Sequence, residues 1–352
     1  MTIEASAVSL SPRRAAPSEA DAPRADADPP AQPRLSAGGV LFVTDDSPLP
    51  AGTASGYFDG QDLTRLRYAR WEATAGGHRG TVCLFTGRAE FIEKYFETVA
   101  ELRARGFEVA MMDWRGQGGS ARMLGNPYKG HVTTFDQYLA DIDYFMRDVV
   151  LPDCRGPYFA LAHSMGGNIV MQVLARRTHW FDRAVLVSPM LHLAGLPLSL
   201  GSTRRLAEIL CYAGFAAAYV PGGGRAPRAM QEFDDNPFTS DRRRFERNLA
   251  VMRAAPEIML GAPTIGWFHA AARAMEVVLE PEFTPLIRVP LLLVGAGRDS
   301  VVSTATIEEI GSGLRGGGFV VVDGARHEIL QERDWLREQF WAAFDAFIPG
   351  SR

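Results

Sequence analysis

The run Ala162-His163-Ser164-Met165-Gly166 constrains this chain more than any other, because it reads as a serine set on a sharp strand-to-helix turn. Before it, Pro157-Tyr158-Phe159-Ala160-Leu161 has the composition of a short buried strand, and after it residues 166–175 space their apolar side chains as one helix face. A strand that turns this abruptly holds its central residue in strained backbone space, so small residues are needed two positions before and two after. Ala162 and Gly166 meet that need, alanine adding a single methyl at the first position.

The elbow lies inside a repeating strand–helix pattern. Leu66 to Trp71 alternates like an antiparallel strand near a sheet edge, and Thr81-Val82-Cys83-Leu84-Phe85 is a continuous apolar run suited to a strand covered on both faces. Glu93 to Arg105 has helical spacing, with Phe96, Val99, Ala100 and Leu102 expected against the sheet and Gly106 as the stop. Further strands are expected at 109–112, 183–188, 289–294 and 318–322, and helices at 135–150 and 334–348. Strands separated by helices imply an α/β fold with a mainly parallel central sheet flanked by helices. The stretch between Pro189 and about Pro285 is too long for one crossover and holds several helical patterns, which predicts an inserted helical lid. The expected division is therefore a flexible Ala/Pro-rich tail (1–40), a first core part (41–189), a lid (190–285) and a second core part (286–352).

At 352 residues, 47% hydrophobic and 22% charged, the chain is long enough for one large core with an insertion. A net charge of −4 lacks the basic surplus of a general nucleic-acid binder. Cys83, Cys154 and Cys211 are too few and too scattered for a disulfide framework or a metal site, and no cofactor or metal is expected. The tail cannot bury enough surface to offset its ordering, and Glu4 with no apolar run counts against a secretory signal. The longest apolar stretch, Leu206 to Val220, contains Glu208 and is too short to span a bilayer. A cytoplasmic location is the expectation, with peripheral association at the inner membrane surface left open.

A serine hydroxyl needs a base to remove its proton during attack. His327 follows a strand through Asp323-Gly324-Ala325-Arg326, which can turn its imidazole back over the sheet. Asp299 lies beyond Leu291-Leu292-Leu293-Val294, where a carboxylate can orient that imidazole. Ser164, Asp299 and His327 all fall at the carboxyl ends of strands, where ligands bind in such sheets. Their chain order is that of α/β-hydrolases. Glu328 and Asp323 are the weaker carboxylates, Asp323 being assigned to the turn. His163 is read as structural, His78 and His179 as surface residues and His131 as able to reach the cleft rim but not favoured for it, while His192 and His269 in the lid are candidates for substrate contact. The oxyanion donors are expected to be the N–H of Met165 and the N–H of Arg88; the Arg88 side chain could hold Glu90, face solvent or bind an anionic headgroup, and the pairing with Glu90 is favoured. The run Asp113 to Ser120 is rich in glycine but lacks the G-x-x-x-x-G-K-S/T pattern, so it is read as a packed loop and not a phosphate cradle.

Ala-His-Ser-Met-Gly-Gly at 162–167, Asp-Trp-Arg-Gly-Gln-Gly-Gly-Ser at 113–120 and Arg-His-Glu-Ile-Leu at 326–330 together resemble the α/β-hydrolase lysophospholipase and monoacylglycerol-lipase family. Gly-Arg-Ala-Glu-Phe-Ile-Glu-Lys-Tyr at 87–95 and Gly-Ala-Pro-Thr-Ile-Gly-Trp at 261–267 look closer to its bacterial lysophospholipase L2 branch. The resemblance covers about residues 55–348. It implies hydrolysis of a single acyl ester on a glycerol or glycerophospho backbone beneath a helical cap, with Ser164, Asp299 and His327 as nucleophile, acid and base, and with Arg88 and Met165 as donors. Two residues depart from the family pattern: Thr86 stands where a histidine is usual, and Ala162 replaces the usual elbow glycine.

Within the lid, Leu206 to Phe215 offers an apolar face and Arg242-Arg243-Arg244-Phe245-Glu246-Arg247 a basic run. Leu210, Phe215, Trp267 and His269 are the candidate substrate contacts; the arginines could meet a phosphate headgroup or anionic leaflet, but the favoured expectation is that they face water beside Asp234, Asp235 and Asp241. The partner expected is a lipid or small ester, with transient membrane-surface contact and no nucleic acid; the oligomeric state stays open. Two other enzymes fit the same residues, a broad small-ester carboxylesterase and a lipid acyltransferase using the same triad. A non-catalytic binding fold is disfavoured by the complete triad.

Overall fold

A computed structural model of the chain describes residues 34–35, 40–74, 77–176, 180–227, 230 and 232–349, the first pair by backbone alone. The expected tail and His179 lie outside them, except for Arg34–Leu35 and Val40. Two short strands, β1 (Arg34–Leu35) and β2 (Phe42–Val43), pair antiparallel. The main chain path then runs β3 (Ala54–Asp59), β4 (Arg65–Trp71), β5 (Thr81–Phe85), α1 (Phe96–Ala104), β6 (Glu108–Met112) and α2 (Asp136–Phe145). A short α3 (Leu151–Asp153) precedes β7 (Tyr158–His163), α4 (Met165–Arg176) and β8 (Arg183–Val187). After an insertion come β9 (Leu291–Ala296), α8 (Thr304–Ser312), β10 (Gly317–Val322) and α9 (Asp334–Phe347).

Among the described residues, eight strands form one sheet in the order β10-β9-β8-β7-β5-β6-β4-β3. The pairs β3–β4 and β4–β6 are antiparallel and the rest parallel, so the sheet is mainly parallel as the alternation implied. β5 is buried at all five positions because helices cover both its faces. Successive side chains point to opposite faces, which sorts the strand between two apolar layers. Cys83 and Phe85 join Phe145, Ile169 and Ile307 on one face, whereas Val82 and Leu84 join Val99, Leu102 and Phe340 on the other.

The local differences from the sequence reading have local causes. The first turn of the helix expected from Glu93 is a 3-10 turn over Ile92–Tyr95, and Thr98, not Ala100, is buried beside Phe96 and Val99. Gly106 ends that helix with φ 90°, a conformation that only glycine adopts without strain. β3 has a single buried residue, Phe58, so its apolar signal is weak. Among the described residues no helix is long and apolar enough to cross a membrane.

The insertion between β8 and β9 carries α5 (Leu200–Leu210), α6 (Arg242–Ala254) and α7 (Ile265–Leu279). The arginine run does not simply face water. Arg242 and Arg243 are exposed, but Arg244 is 2% exposed and bonds Glu97 of α1 at 2.6 Å, Asp241 at 2.9 Å and Asp334 of α9 at 2.6 Å. Arg247 reaches Glu97 at 2.7 Å. The amphipathic spacing of α6 turns these two toward carboxylates on the core, because Phe245, Leu249 and Met252 must also be buried. α5 instead joins α7 through Arg204–Glu276 at 2.7 Å.

Candidate active site

The turn from β7 into α4 gives Ser164 a φ of 52°, in the left-handed region that a side-chain-bearing residue seldom takes. The turn is held by the Ser164 N–H, which donates to Val187 O at 3.0 Å. Gly166 is needed because a Cβ there would meet the Thr86 carbonyl oxygen at 2.6 Å and the Phe85 carbonyl oxygen at 2.8 Å. The sharp turn thus lifts the serine oxygen above the sheet and starts α4 directly beneath it.

Two loops approach that oxygen from beyond β9 and β10. His327 Nε2 lies 3.0 Å from Ser164 Oγ, and His327 Nδ1 lies 2.8 Å from Asp299 Oδ2. A proton on Nδ1 satisfies the carboxylate and leaves Nε2 to accept from the serine hydroxyl. Asp299 Oδ1 accepts from the N–H groups of Val301 and Val302 at 2.8 and 3.0 Å. Burial opposes its ionisation, but His327 and those two N–H groups outweigh it and hold the carboxyl below its ordinary range. Asp323 is exposed, and Glu328 turns away to Lys94 at 2.6 Å.

The loop after β5 brings Arg88 beside the serine. Ala89 has a φ of 62°, again in the left-handed region that a side-chain-bearing residue seldom takes. The loop is clamped by residues of the Asp113–Ser120 run, which the sequence marks as a packed active-site loop. Trp114 Nε1 donates to Thr86 O at 2.8 Å, and the Gln117 amide both donates to Gly87 O at 2.8 Å and accepts from Ala89 N at 3.2 Å. These contacts, made by the Asp113–Ser120 loop, support a turn in which Thr86 stands in place of the usual histidine. Arg88 does not pair with Glu90. Its Nη2 donates to Gly261 O at 2.9 Å and its guanidinium lies 5.0 Å from the Trp267 ring centre.

Glu90 turns inward instead. It accepts from the Gly87 N–H, the Tyr95 hydroxyl at 2.8 Å, the Lys94 ammonium at 2.7 Å and His163 Nδ1 at 3.1 Å. His163 Nε2 lies 3.2 Å from the main-chain oxygen of His327, so both of its ring nitrogens face acceptors. Burial would lower the His163 pKa, but Glu90 more than offsets it and the net shift is upward. Burial works against the Glu90 charge too, yet Lys94 and His163 hold its carboxyl well below the usual range. Glu90, Lys94 and Tyr95 of this cluster all lie within the 87–95 run that carries the family resemblance, whereas His163 and Glu328 join it from distant positions.

Ser164 and His327 open into a cavity of about 990 Å³. Leu210 and Trp267 line it, together with Leu206 and Ala207 of α5. Phe215 does not; it is 54% exposed on the outside of the insertion. His269 is also absent from the wall, because the α7 residues that face the cavity are Ile265, Trp267, Phe268 and Ala271, and position 269 points off that side. His192 lies off the wall as well, its Nδ1 being 2.8 Å from Leu193 O, while His131 Nδ1 lies 2.9 Å from Thr264 Oγ1 at the start of α7. A nucleophile with its base, a carboxylate behind the base and an apolar cavity in front are the parts that acyl transfer requires.

Residues 76–334 match the family model described as serine aminopeptidase, S33. Lysophospholipase L2 of Escherichia coli (strain K12) is 33% identical over 287 residues, which cover 80% of this chain and 83% of that protein. A probable lysophospholipase L2 of Haemophilus influenzae is 29% identical over 293 residues, 83% of this chain and 91% of that one. Among solved structures, a soluble variant of monoglyceride lipase from Saccharomyces cerevisiae superposes with a TM-score of 0.65 at 17% identity, covering 86% of this chain and 98% of that chain. A carboxyl esterase from Bacillus coagulans gives 0.66 at 18% identity, covering 86% and 99%. These two structures share the fold.

Proposed function

The chain belongs to the serine aminopeptidase, S33 family, and on that footing we propose that it is a serine hydrolase that cleaves the single acyl ester of a lysophospholipid or monoacylglycerol. The observation that carries the reading is the hydrogen-bonded line from Ser164 Oγ through His327 to Asp299, opening into an apolar cavity. In the proposed reaction, His327 Nε2 takes the serine proton as Oγ attacks the ester carbonyl carbon. The N–H groups of Arg88 and Met165 receive the oxyanion, and His327 then protonates the departing glycerol oxygen. Water repeats the attack on the acyl-enzyme and frees the fatty acid.

Two observations favour an ester of a lipid over a peptide with a free amino end. The relatives at 29–33% identity are named as lysophospholipases. An aminopeptidase must also hold a substrate ammonium, yet both carboxylates among the described residues of the cavity wall, Glu90 and Glu328, are already paired with Lys94. Residues 190–285 are read as the lid, with α5 and α7 supplying the wall for the acyl chain. The exposed Leu206, Ile209, Tyr212 and Phe215 on and after α5 are read as the surface that meets a membrane.

The experiment is a matched panel of lysophospholipids, monoacylglycerols and short p-nitrophenyl esters, with free acid and transferred ester both quantified. Release of acid from the long-chain lipids supports the reading. Preference for the short esters would replace it with a broad carboxylesterase, and transferred ester as the main product with an acyltransferase.

A further inference from the structure

Arg88 is the unmatched charge of the cavity. The other charged side chains that line it among the described residues satisfy one another: Lys94 bonds Glu90 at 2.7 Å and Glu328 at 2.6 Å, and His163 Nδ1 lies 3.1 Å from Glu90. Arg88 has no carboxylate partner among the described residues. One of its terminal nitrogens donates to the Gly261 carbonyl, the aromatic face of Trp267 lies beneath it, and Nε is buried with no hydrogen-bond partner. Burial lowers its pKa to about 10, so the side chain is still a cation at neutral pH. A cation left in an apolar wall with an unused donor is unfavourable unless something that enters the cavity completes it.

The chemistry of that missing group is narrow. A guanidinium presents its donors as a planar fork that fits the paired oxygens of a phosphate or carboxylate. Its position narrows the choice further. The main-chain N–H of Arg88 is the proposed oxyanion donor, so it meets the ester carbonyl. From that nitrogen to the guanidinium carbon the side chain spans as many covalent bonds as separate the ester carbonyl carbon from phosphorus in a 1-acyl glycerophosphodiester. One residue can therefore touch both ends of such a molecule. A released fatty acid offers its only anionic group at the reaction centre and matches one end alone.

We infer that the Arg88 side chain is a phosphate subsite, binding the phosphodiester of a 1-acyl lysophospholipid while the N–H of the same residue holds the ester oxyanion. The inference rests on the lipid-ester reading above and deepens it, because it selects the phosphorylated glycerol ester over the neutral one.

The test compares 1-hexanoyl-glycerophosphocholine with 1-hexanoylglycerol, both as monomers in solution, on the full chain and on Arg88→Met and Arg88→Lys. Every variant keeps the main-chain N–H, and fluorophosphonate titration counts the folded active sites in each. In Arg88→Met the ratio of kcat/KM for the phosphodiester to that for the neutral ester should fall about tenfold or more, mainly through KM, and Arg88→Lys should recover part of it. An unchanged ratio in Arg88→Met overturns the subsite while leaving the hydrolase reading in place. Absence of hydrolysis of both esters by the parent would overturn that reading and the subsite together. In a second arm, glycerophosphocholine should inhibit the parent competitively and inhibit Arg88→Met much less. Inorganic phosphate should be the weaker inhibitor throughout, and equal inhibition by the two would mean a general anion site in place of a phosphodiester one.

Discussion

Glu90 and Glu328 share the ammonium of Lys94, which stands 2.7 Å from the first carboxylate and 2.6 Å from the second. Glu90 ends the loop that carries Arg88, and Glu328 follows His327. One buried cation therefore sets the spacing between the loop of the proposed oxyanion donor and the loop of the proposed base. Lys94→Met should leave two buried carboxylates facing each other and cost about 3–5 kcal/mol of stability, as removal of one member of a buried ionic cluster does. Urea unfolding measures this, and adding Glu328→Gln should recover part of the loss. A cost below about 1 kcal/mol would mean that the cluster is not structural.

His163 should make stability depend on pH in one direction. Its folded pKa is raised, so its contribution is complete below the ordinary imidazole value of about 6.5 and fades as pH climbs through the folded value. The parent should thus lose stability on the alkaline side, and His163→Gln should flatten that loss. Urea midpoints at about pH 6 and about pH 9 decide it, parallel changes in the two proteins being the outcome that removes His163 as a buried cation.

Ser164→Ala should eliminate the single fluorophosphonate adduct in intact-mass spectra and lower esterase activity about a thousandfold or more, with circular dichroism unchanged. An adduct that persists on another serine would move the nucleophile elsewhere.

Asp299→Asn should slow acylation by about a thousand- to ten-thousandfold, because an amide neither fixes the same tautomer nor stabilises the imidazolium. Asp323 is exposed, so Asp323→Asn should change the rate by less than about threefold. Rapid-quench acylation rates compare the two, and a larger loss at Asp323 would reverse the assignment.

Leu210→Gln should weaken long-chain esters more than short ones, since each methylene removed from water contributes about 0.8 kcal/mol. Phe215→Ser serves as the contrast, because Phe215 lies outside the cavity. It should spare monomeric substrates of every length and reduce turnover of lipid presented on vesicles. A chain-length effect at Phe215 matching that at Leu210 would place both on the same wall.

How much the sequence disclosed depended on whether a signal was local. The elbow was legible because its small residues, flanking strand and following helix lie within twenty or so positions of Ser164, and the parallel strands because β5, β7 and β9 are continuous apolar runs. The Arg88–Glu90 pairing does not form because each side chain finds another partner that proximity in sequence does not reveal, Gly261 O for Arg88 and Tyr95, Lys94 and His163 for Glu90. The bonds of Lys94 to Glu328 and of His163 to the His327 carbonyl join distant positions and leave no local pattern. For Phe215 and His269, helical spacing supplied a stripe but not which side of the helix it belonged to, and the arginines of α6 were read as solvated for want of Glu97 and Asp334 opposite them.

The two kinds of attachment within the insertion give traffic through the cavity a direction. α6 is bolted to the frame by Arg244, which reaches carboxylates on both α1 and α9, whereas the ion pair from Arg204 of α5 runs to α7, a second helix of the same insertion. If the proposed membrane surface includes Ile209 and Tyr212, a lipid surface there would pull on a door hung from one side, while the other jamb stayed put. Substrate should enter and fatty acid should leave past Leu206, so that bulk added at that threshold slows loading and release together without touching the chemistry between them.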